Sequence, residues 1–562
     1  MKKKPPGPAK LPSGIWPLLK SFLPVLAVFI ISAGLLCWNL GARYLWQDEA
    51  NTAVLAQRMM SYGRPLAYDG RNFLTADVYH WDETQKLPTG NPAEAVQYQV
   101  QRGGLKADTA WVLQPWGQFI VAGVSLALFG HDTVPARLPF ALAGALTAAL
   151  LYAVVRRRLA SPVAAAAAVA LLLGNSFWVM HMRQCRYYAL SSLFLLVTLE
   201  AYLRWREGRR WGGPVFIVAA WLWFQMDYGS LWPVLGILGI HAVITRTRRL
   251  REIVLVFSGF CAVTVPFCFF YELTGRAVKH TAAQWAKVSW GMLFEVNQFQ
   301  LPLVIIPVVI CLLWLKKREG SNIQSLPLLG LSLAILCVLP IWMALVGPVF
   351  PFYRYIVSLT TLSAIVTAYG IVETARRLAR AKDVRWLVPS AVAAATLFFL
   401  ITNLPSRPGG LVFPEKHRLK YYLSSVVRPE VRFLIGDLTG DGEDDPNRAT
   451  VEFLRQSLKP GEEILCNYED IPLMFYLPNR VRGGVACFRV TDAGNVSFAV
   501  YRRSIMDCHT SIYLRELAKS RWQVHVLNAP DIATGNCPDP RYHHGILSAR
   551  ALPLPVFERV SQ

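Results

Sequence analysis

The sequence predicts an α-helical polytopic membrane protein of about eleven spanning helices, ending in a small α/β or α+β domain outside the membrane. Three observations predict this. Hydrophobic residues make up 54% of the 562-residue chain and charged residues only 17%, against roughly 25% charged in soluble domains. Apolar runs suited to crossing a bilayer recur up to about residue 402. The loops between them alternate between strongly basic and not basic, the pattern that orients membrane proteins.

The apolar runs fall at about 21–40, 134–155, 161–180, 188–204, 213–226, 230–245, 252–271, 301–315, 325–347, 355–373 and 386–402. A tail, 1–20, carries Lys2, Lys3, Lys4, Lys10 and Lys20. Further basic groups follow every second run: Arg156 to Arg158; Arg204, Arg206, Arg209 and Arg210; Arg246, Arg248, Arg249 and Arg251; Lys316, Lys317 and Arg318; Arg376, Arg377, Arg380, Lys382 and Arg385. The positive-inside rule places these loops in the cytoplasm. The net charge of +22 is then a topology signal, and nucleic acid is not an expected partner. The other loops face out: 41–133, 182–189, 225–230, 272–300, 347–355 and everything after about 403. The segment 111–130 is apolar enough to span, but counting it would turn the later arginine clusters outward. It is therefore expected to be re-entrant or interfacial.

The chain divides into the tail 1–20, a membrane domain 21–402 with a large outer loop 41–133, and an outer domain 403–562. The outer domain carries alternating segments such as "EEILCNYE" and "WQVHVLN", expected as strands. Of ten cysteines, Cys466, Cys487, Cys508 and Cys537 lie there, and either two disulfides or buried thiols fit an exported domain. "DLTGDGEDD" resembles the start of a calcium loop, but Arg448 stands where the last acid belongs. It is expected to be a solvated turn. Asn495 opens a glycosylation sequon.

The polar chemistry collects on the outward loops. "YLWQDEANTA" places Asp48 and Glu49 just after the first apolar run. Taken as the C-terminal end of that helix, this is the wrong end for carboxylates, so a role is expected: a general base or a cation ligand. The same loop carries Arg58, Arg71, His80 and Asp82 among tryptophans that suit both a membrane interface and a sugar. "HMRQCRYYAL" places Arg183 and Arg186 three residues apart, and "FPFYRYIVS" carries Arg354. Three arginines on the outward side run against the topology rule. They suit bidentate contact with a lipid-linked phosphate, or snorkelling toward headgroups. Asp227 closes another outward turn, and His280 lies in the loop 272–300.

Together, the acid pair after the first run, the long outer loop, the helix "RLPFALAGALTAALLYAVVRRR", the "R..RYYAL" helix start and the later "YRY" resemble the GT-C membrane glycosyltransferases. The resemblance is to the dolichyl-phosphate-mannose protein mannosyltransferase-like branch, which includes bacterial lipid A aminoarabinose transferase and the rhizobial lipopolysaccharide transferases. It covers roughly residues 20–405. It implies a sugar donor on a polyprenyl phosphate, transferred with inversion to a hydroxyl on a lipid, glycan or protein acceptor at the outer face. It also implies that Asp48 is catalytic with Glu49 beside it, and that Arg183, Arg186, Tyr187 and Arg354 contact the donor phosphate. Arg58, Arg71, His80, Asp82 and Asp227, on the outward loops, are expected to line the substrate site. Where related oligosaccharyltransferases carry a second acidic motif, this chain has "RQCRYYA". No cofactor is therefore firmly implied, and a divalent metal ion is left possible. A polymerase or ligase using pyrophosphate-linked donors, or a lipid-linked sugar transporter, are the other classes that fit. A transporter would place its charges near the bilayer midplane and show a repeat.

Overall fold

The computed structural model describes residues 15–74, 100, 105–246, 248–273, 281–319, 326–346, 353–381, 384, 387–412, 426–483, 496–502, 517–531 and 552–560. The membrane half consists of α1 (Ile15–Cys37), α2 (Gln47–Tyr62), α3 (Gly117–Phe129), α4 (Thr133–Arg158), α5 (Pro162–Leu173), α6 (Ser176–Met182), α7 (Tyr188–Arg206), α8 (Gly212–Met226), α9 (Tyr228–Thr245), α10 (Leu250–Phe270), α11 (Ala282–Glu295), α12 (Ile305–Arg318), α13 (Leu326–Val346), α14 (Leu359–Ala381) and α15 (Leu387–Ile401). Among the described residues, four helices are long and apolar enough to cross a membrane alone, and two bent pairs raise that to six. The expectation of about eleven continuous spans is thus only partly met.

Two runs differ from expectation for local reasons. The run 161–180 is broken into α5 and α6, bent by 71°. At the break the Asn175 carboxamide accepts from Trp178 N at 2.9 Å and donates to Phe299 O at 2.6 Å. A side chain that bonds local backbone competes with helix continuation. The stretch before 301, expected as loop, contains α11 and a π-helical turn, Val296–Gln300, which meets α12 at a 74° bend. Within 111–130 only the 13 residues of α3 are helical. At 1.5 Å per residue that is about 20 Å, short of a hydrocarbon core of roughly 30 Å.

The basic clusters gather at one end of the bundle. Arg158, ending α4, pairs with Glu200 on α7 at 2.9 Å, and Arg248 donates twice to Trp205 O at 2.6 and 2.9 Å. Arg376 on α14 reaches Ser161 Oγ at 2.8 Å. α7, 19 residues long, carries its first turn about 28 Å from this end. That first turn follows a loop expected to face outward. Close packing there uses small residues, as membrane helices do: a Cβ on Gly144 of α4 would sit 2.9 Å from Met182 and 3.0 Å from Leu36.

After α16 (Arg407–Val412) and α17 (Pro429–Thr439), the outer domain comprises α18 (Pro446–Ser457), β1 (Glu463–Cys466), α19 (Asp470–Tyr476), β2 (Arg480–Gly483), β3 (Val496–Val500), β4 (Trp522–Pro530) and β5 (Pro553–Arg559). The five strands order as β2-β1-β3-β5-β4. β1 pairs parallel with β2 and β3, while β5 pairs antiparallel with β3 and β4. Parallel neighbours need a crossover, and α19 supplies it between β1 and β2. Cys466 on β1 is a free, buried thiol; Cys487, Cys508, Cys537 and Asn495 lie outside the described residues.

This domain grips residues 38–47. Tyr44 and Tyr476 stack at 4.2 Å, and Leu45 N donates to Tyr476 Oη at 2.9 Å. Gln47 Nε2 donates to Asp470 Oδ1 at 2.8 Å, and Tyr44 N to Asp445 Oδ2 at 2.6 Å. The acidic segment is a docking loop. Arg43 faces Asp437 at 3.6 Å and Asp444 at 3.1 Å. Gly442, at φ +78°, lies so close to Ala42 O that a Cβ would sit 1.8 Å from it.

Candidate active site

The acid pair does not end α1. α1 stops at Cys37, and Asp48 and Glu49 lie in the first turn of the separate helix α2. The expectation of an electrostatically wrong helix end is therefore corrected: the first turn is where the helix dipole favours carboxylates. The run of about twenty apolar residues hid this, because its last residues form turn rather than helix.

The two acids have different surroundings. Glu49 is fully buried. Its Oε1 accepts from Arg137 Nε at 2.8 Å and from Cys185 N at 2.7 Å, and its Oε2 from Arg137 Nη2 at 2.6 Å. Arg137 also donates to Leu40 O, Arg43 O and Tyr44 O at 2.8 to 3.2 Å. This bidentate pair ties the chain before α2 to α4 and to the loop before α7. Glu49 is thereby a positioning group with its acceptor capacity taken up. Arg137 was quoted in the sequence motif but given no role. Its signal was the same as for Arg183, an arginine at the outward end of an apolar helix.

Asp48 has a side chain 26% exposed, and its Oδ2 lies 3.0 Å from Arg354 Nη2 and 3.7 Å from Arg186 Nη2. Arg186 also holds the start of α2, donating to Asp48 O at 3.2 Å and Thr52 Oγ1 at 3.1 Å. Aromatic rings wall the cluster. Arg354 lies 5.6 Å from the Trp46 ring and 5.4 Å from Tyr355, and Arg186 lies 5.8 Å from Tyr187. Arg354 sits on a short 3-10 turn, Tyr353–Ile356, whose Ile356 O accepts from Gln300 at 2.7 Å. The π-turn that breaks the α11–α12 span thus supports the arginine turn, a use typical of π-bulges.

The structure brings Asp48, Arg186, Tyr187 and Arg354 together. Other expected residues have different work. Arg183 donates to Leu35 O, Leu36 O and Trp38 O at 2.7 to 3.2 Å and to Asn39 O at 3.3 Å, closing the C-terminus of α1, where a cation satisfies orphan carbonyls. Arg58 pairs with Asp69 at 2.8 Å and donates to Leu66 O, Ala67 O and Asn72 O, which staples the outer loop. Arg71 bonds Pro478 O of the outer domain. Asp227 caps α9, accepting from Gly229 N at 3.1 Å, Ser230 N at 3.3 Å and Ser191 Oγ at 2.9 Å. His80, Asp82 and His280 lie outside the described residues.

A divalent ion does not fit at Asp48 as the described residues stand. The cations facing its carboxylate are already two guanidiniums, and a third positive group would be repelled. Among the described residues no three His, Cys, Asp or Glu side chains converge as ligands.

Residues 114–271 match the family model of dolichyl-phosphate-mannose-protein mannosyltransferase. That segment carries Arg137, Arg186 and Tyr187. Among solved structures, the chain is similar to ArnT from Cupriavidus metallidurans bound to undecaprenyl phosphate, with TM-score 0.51, 16% identity, 98% of this chain and 99% of that one covered. It is similar also to the apo state of that protein, with TM-score 0.52, 15% identity, 97% and 98% covered. At such identity the likeness establishes the fold. No curated protein matches the chain.

Proposed function

We propose that the chain is a membrane glycosyltransferase of the GT-C fold that transfers a sugar from a polyprenyl-phosphate donor to an acceptor hydroxyl at the outer face of the plasma or inner membrane. The observation that carries this reading is Asp48, partly open and held between Arg354 and Arg186 at the end of the bundle away from the basic clusters. A carboxylate and two guanidiniums at a bilayer edge match one chemistry: removing a proton from one oxygen while neutralising charge that develops on a phosphate. The donor's tail never has to leave the membrane.

In this mechanism Asp48 accepts the proton of the acceptor hydroxyl. The hydroxyl oxygen forms a bond to the anomeric carbon as the carbon–oxygen bond to phosphate breaks, with inversion. The phosphate departs with the electron pair, and Arg354 and Arg186 stabilise it. Before the donor arrives, these arginines pair with Asp48; a bound phosphate would compete with it for the guanidiniums. The N-terminus then lies in the cytoplasm and the outer domain beside the site, where its grip on residues 38–47 sets the start of α2.

The test is Asp48→Asn in purified protein with a lipid-linked sugar donor. Transfer should fall by a factor of about 10² to 10⁴, with thermal stability close to that of the parent. Full activity in this variant would remove the central claim.

A further inference from the structure

Three buried hydrogen-bond donors around the Asp48 cluster have no partner among the described residues: Trp46 Nε1, Arg186 Nε and Tyr188 Oη. Trp46 is 5% exposed, Arg186 4% and Tyr188 0%. A buried donor without a partner is costly, so a cluster of them asks for a ligand. Three beside one ion-paired carboxylate form a pattern. Trp46 presents its ring to Arg354. Tyr188 opens α7 two residues after Arg186, wedged between Tyr187 at 4.7 Å and His181 at 5.1 Å. Its ring neighbour Tyr187 in turn lies 5.8 Å from the Arg186 guanidinium.

We propose that Tyr188 and Trp46 are phosphate-binding residues, donating with Arg186 Nε to the oxygens of a lipid-linked phosphate between Arg186 and Arg354. This rests on the donor reading above and adds to it two neutral groups. The chemistry is that of a preorganised oxyanion pocket. Guanidiniums supply charge, while an indole N–H and a phenol O–H, fixed by packing, supply direction without adding charge. A neutral donor loses less to desolvation in a buried wall than a further arginine or lysine would.

The experiment uses full-length protein in detergent and follows the thermal midpoint and affinity with undecaprenyl phosphate, using undecaprenol as the uncharged control. In Tyr188→Phe the unliganded midpoint should hold or rise, because the hydroxyl makes no bond among the described residues. Affinity for undecaprenyl phosphate should fall about tenfold, and the ligand-induced rise in midpoint should shrink with it. Affinity for undecaprenol should not change. Trp46→Phe should weaken the phosphate lipid in the same direction. Unchanged phosphate affinity in Tyr188→Phe overturns the proposal, as does an equal loss toward the alcohol, which would place Tyr188 on the tail. A lowered unliganded midpoint with unchanged affinity marks a structural hydroxyl and also overturns it. If the parent protein gains no stability from undecaprenyl phosphate, the donor reading itself fails.

Discussion

Asp48 and Glu49 are adjacent, acidic and in the same helical turn, yet their environments make them opposites. Glu49 is sealed in a bidentate pair with Arg137, while Asp48 keeps part of its surface open beside two arginines. Substitution should separate them. Glu49→Gln leaves the Arg137 charge buried without its carboxylate, and breaking such a pair costs about 3–5 kcal/mol. We expect a lower thermal midpoint and reduced yield, in contrast to the near-parental stability of Asp48→Asn. Arg354→Ala should raise KM for the lipid-linked donor more than KM for the acceptor; equal rises would argue against a phosphate role. From sequence, Arg186 and Arg354 stand out because each runs against the charge expected of its loop, and Asp48 because it follows the first apolar run and matches the family's acid. Arg183 runs against its loop's charge equally and does different work. Which arginine faces a phosphate and which closes a helix depends on where α1 stops, and hydropathy does not mark that point.

Caps and breaks explain most of what the helices do around the site. Asp227 looked like a substrate residue by its position on an outward turn. It takes four hydrogen bonds as the N-cap of α9. Asp227→Ala should therefore cost about 1–2 kcal/mol of stability, read from the thermal midpoint, and leave donor affinity near parental. A large loss of affinity at unchanged stability would restore its substrate role. The eleven apolar runs were correctly found as helical material, but two were misread in continuity. Asn175 and the π-turn before Leu301 are ordinary residues in apolar surroundings. Their effect arises from partners more than fifty residues away, Phe299 and Ile356, which no local pattern contains.

Across the whole molecule, the outer domain is joined to the membrane half through residues 38–47 and a buried acidic junction. Burial pushes Glu469 up to about 7 and Asp470 up to about 6, despite Arg502 and Asn447 beside the first and Gln47 beside the second. The native state thus favours their protonated forms. Their contribution to stability is full below the ordinary carboxyl values of 4.5 and 3.8, and it is lost as pH rises toward about 7 and about 6. The thermal midpoint should accordingly carry a downward component between pH 4.5 and 7, and Glu469→Gln should flatten it; an unaltered pH profile would contradict the assignment. Reporter fusions after Arg158 and within the outer domain should report opposite sides of the membrane, since the basic clusters and Asp48 occupy opposite ends of the bundle.

Composition and charge order were enough to predict a polytopic helical membrane protein ending in a mixed α/β domain, and to set out which loops are expected in the cytoplasm and which outside. These are properties of solvent partition and of the charge rule, which act on each segment where it stands in the chain. The tertiary structure decided that the acid pair begins a helix, that Glu49 serves Arg137, that Arg183 serves α1, and that Trp46 and Tyr188 join Asp48, Arg186 and Arg354. Each of those outcomes depends on a partner that folding brings from elsewhere in the chain. Burial then decides which charges remain open to a substrate.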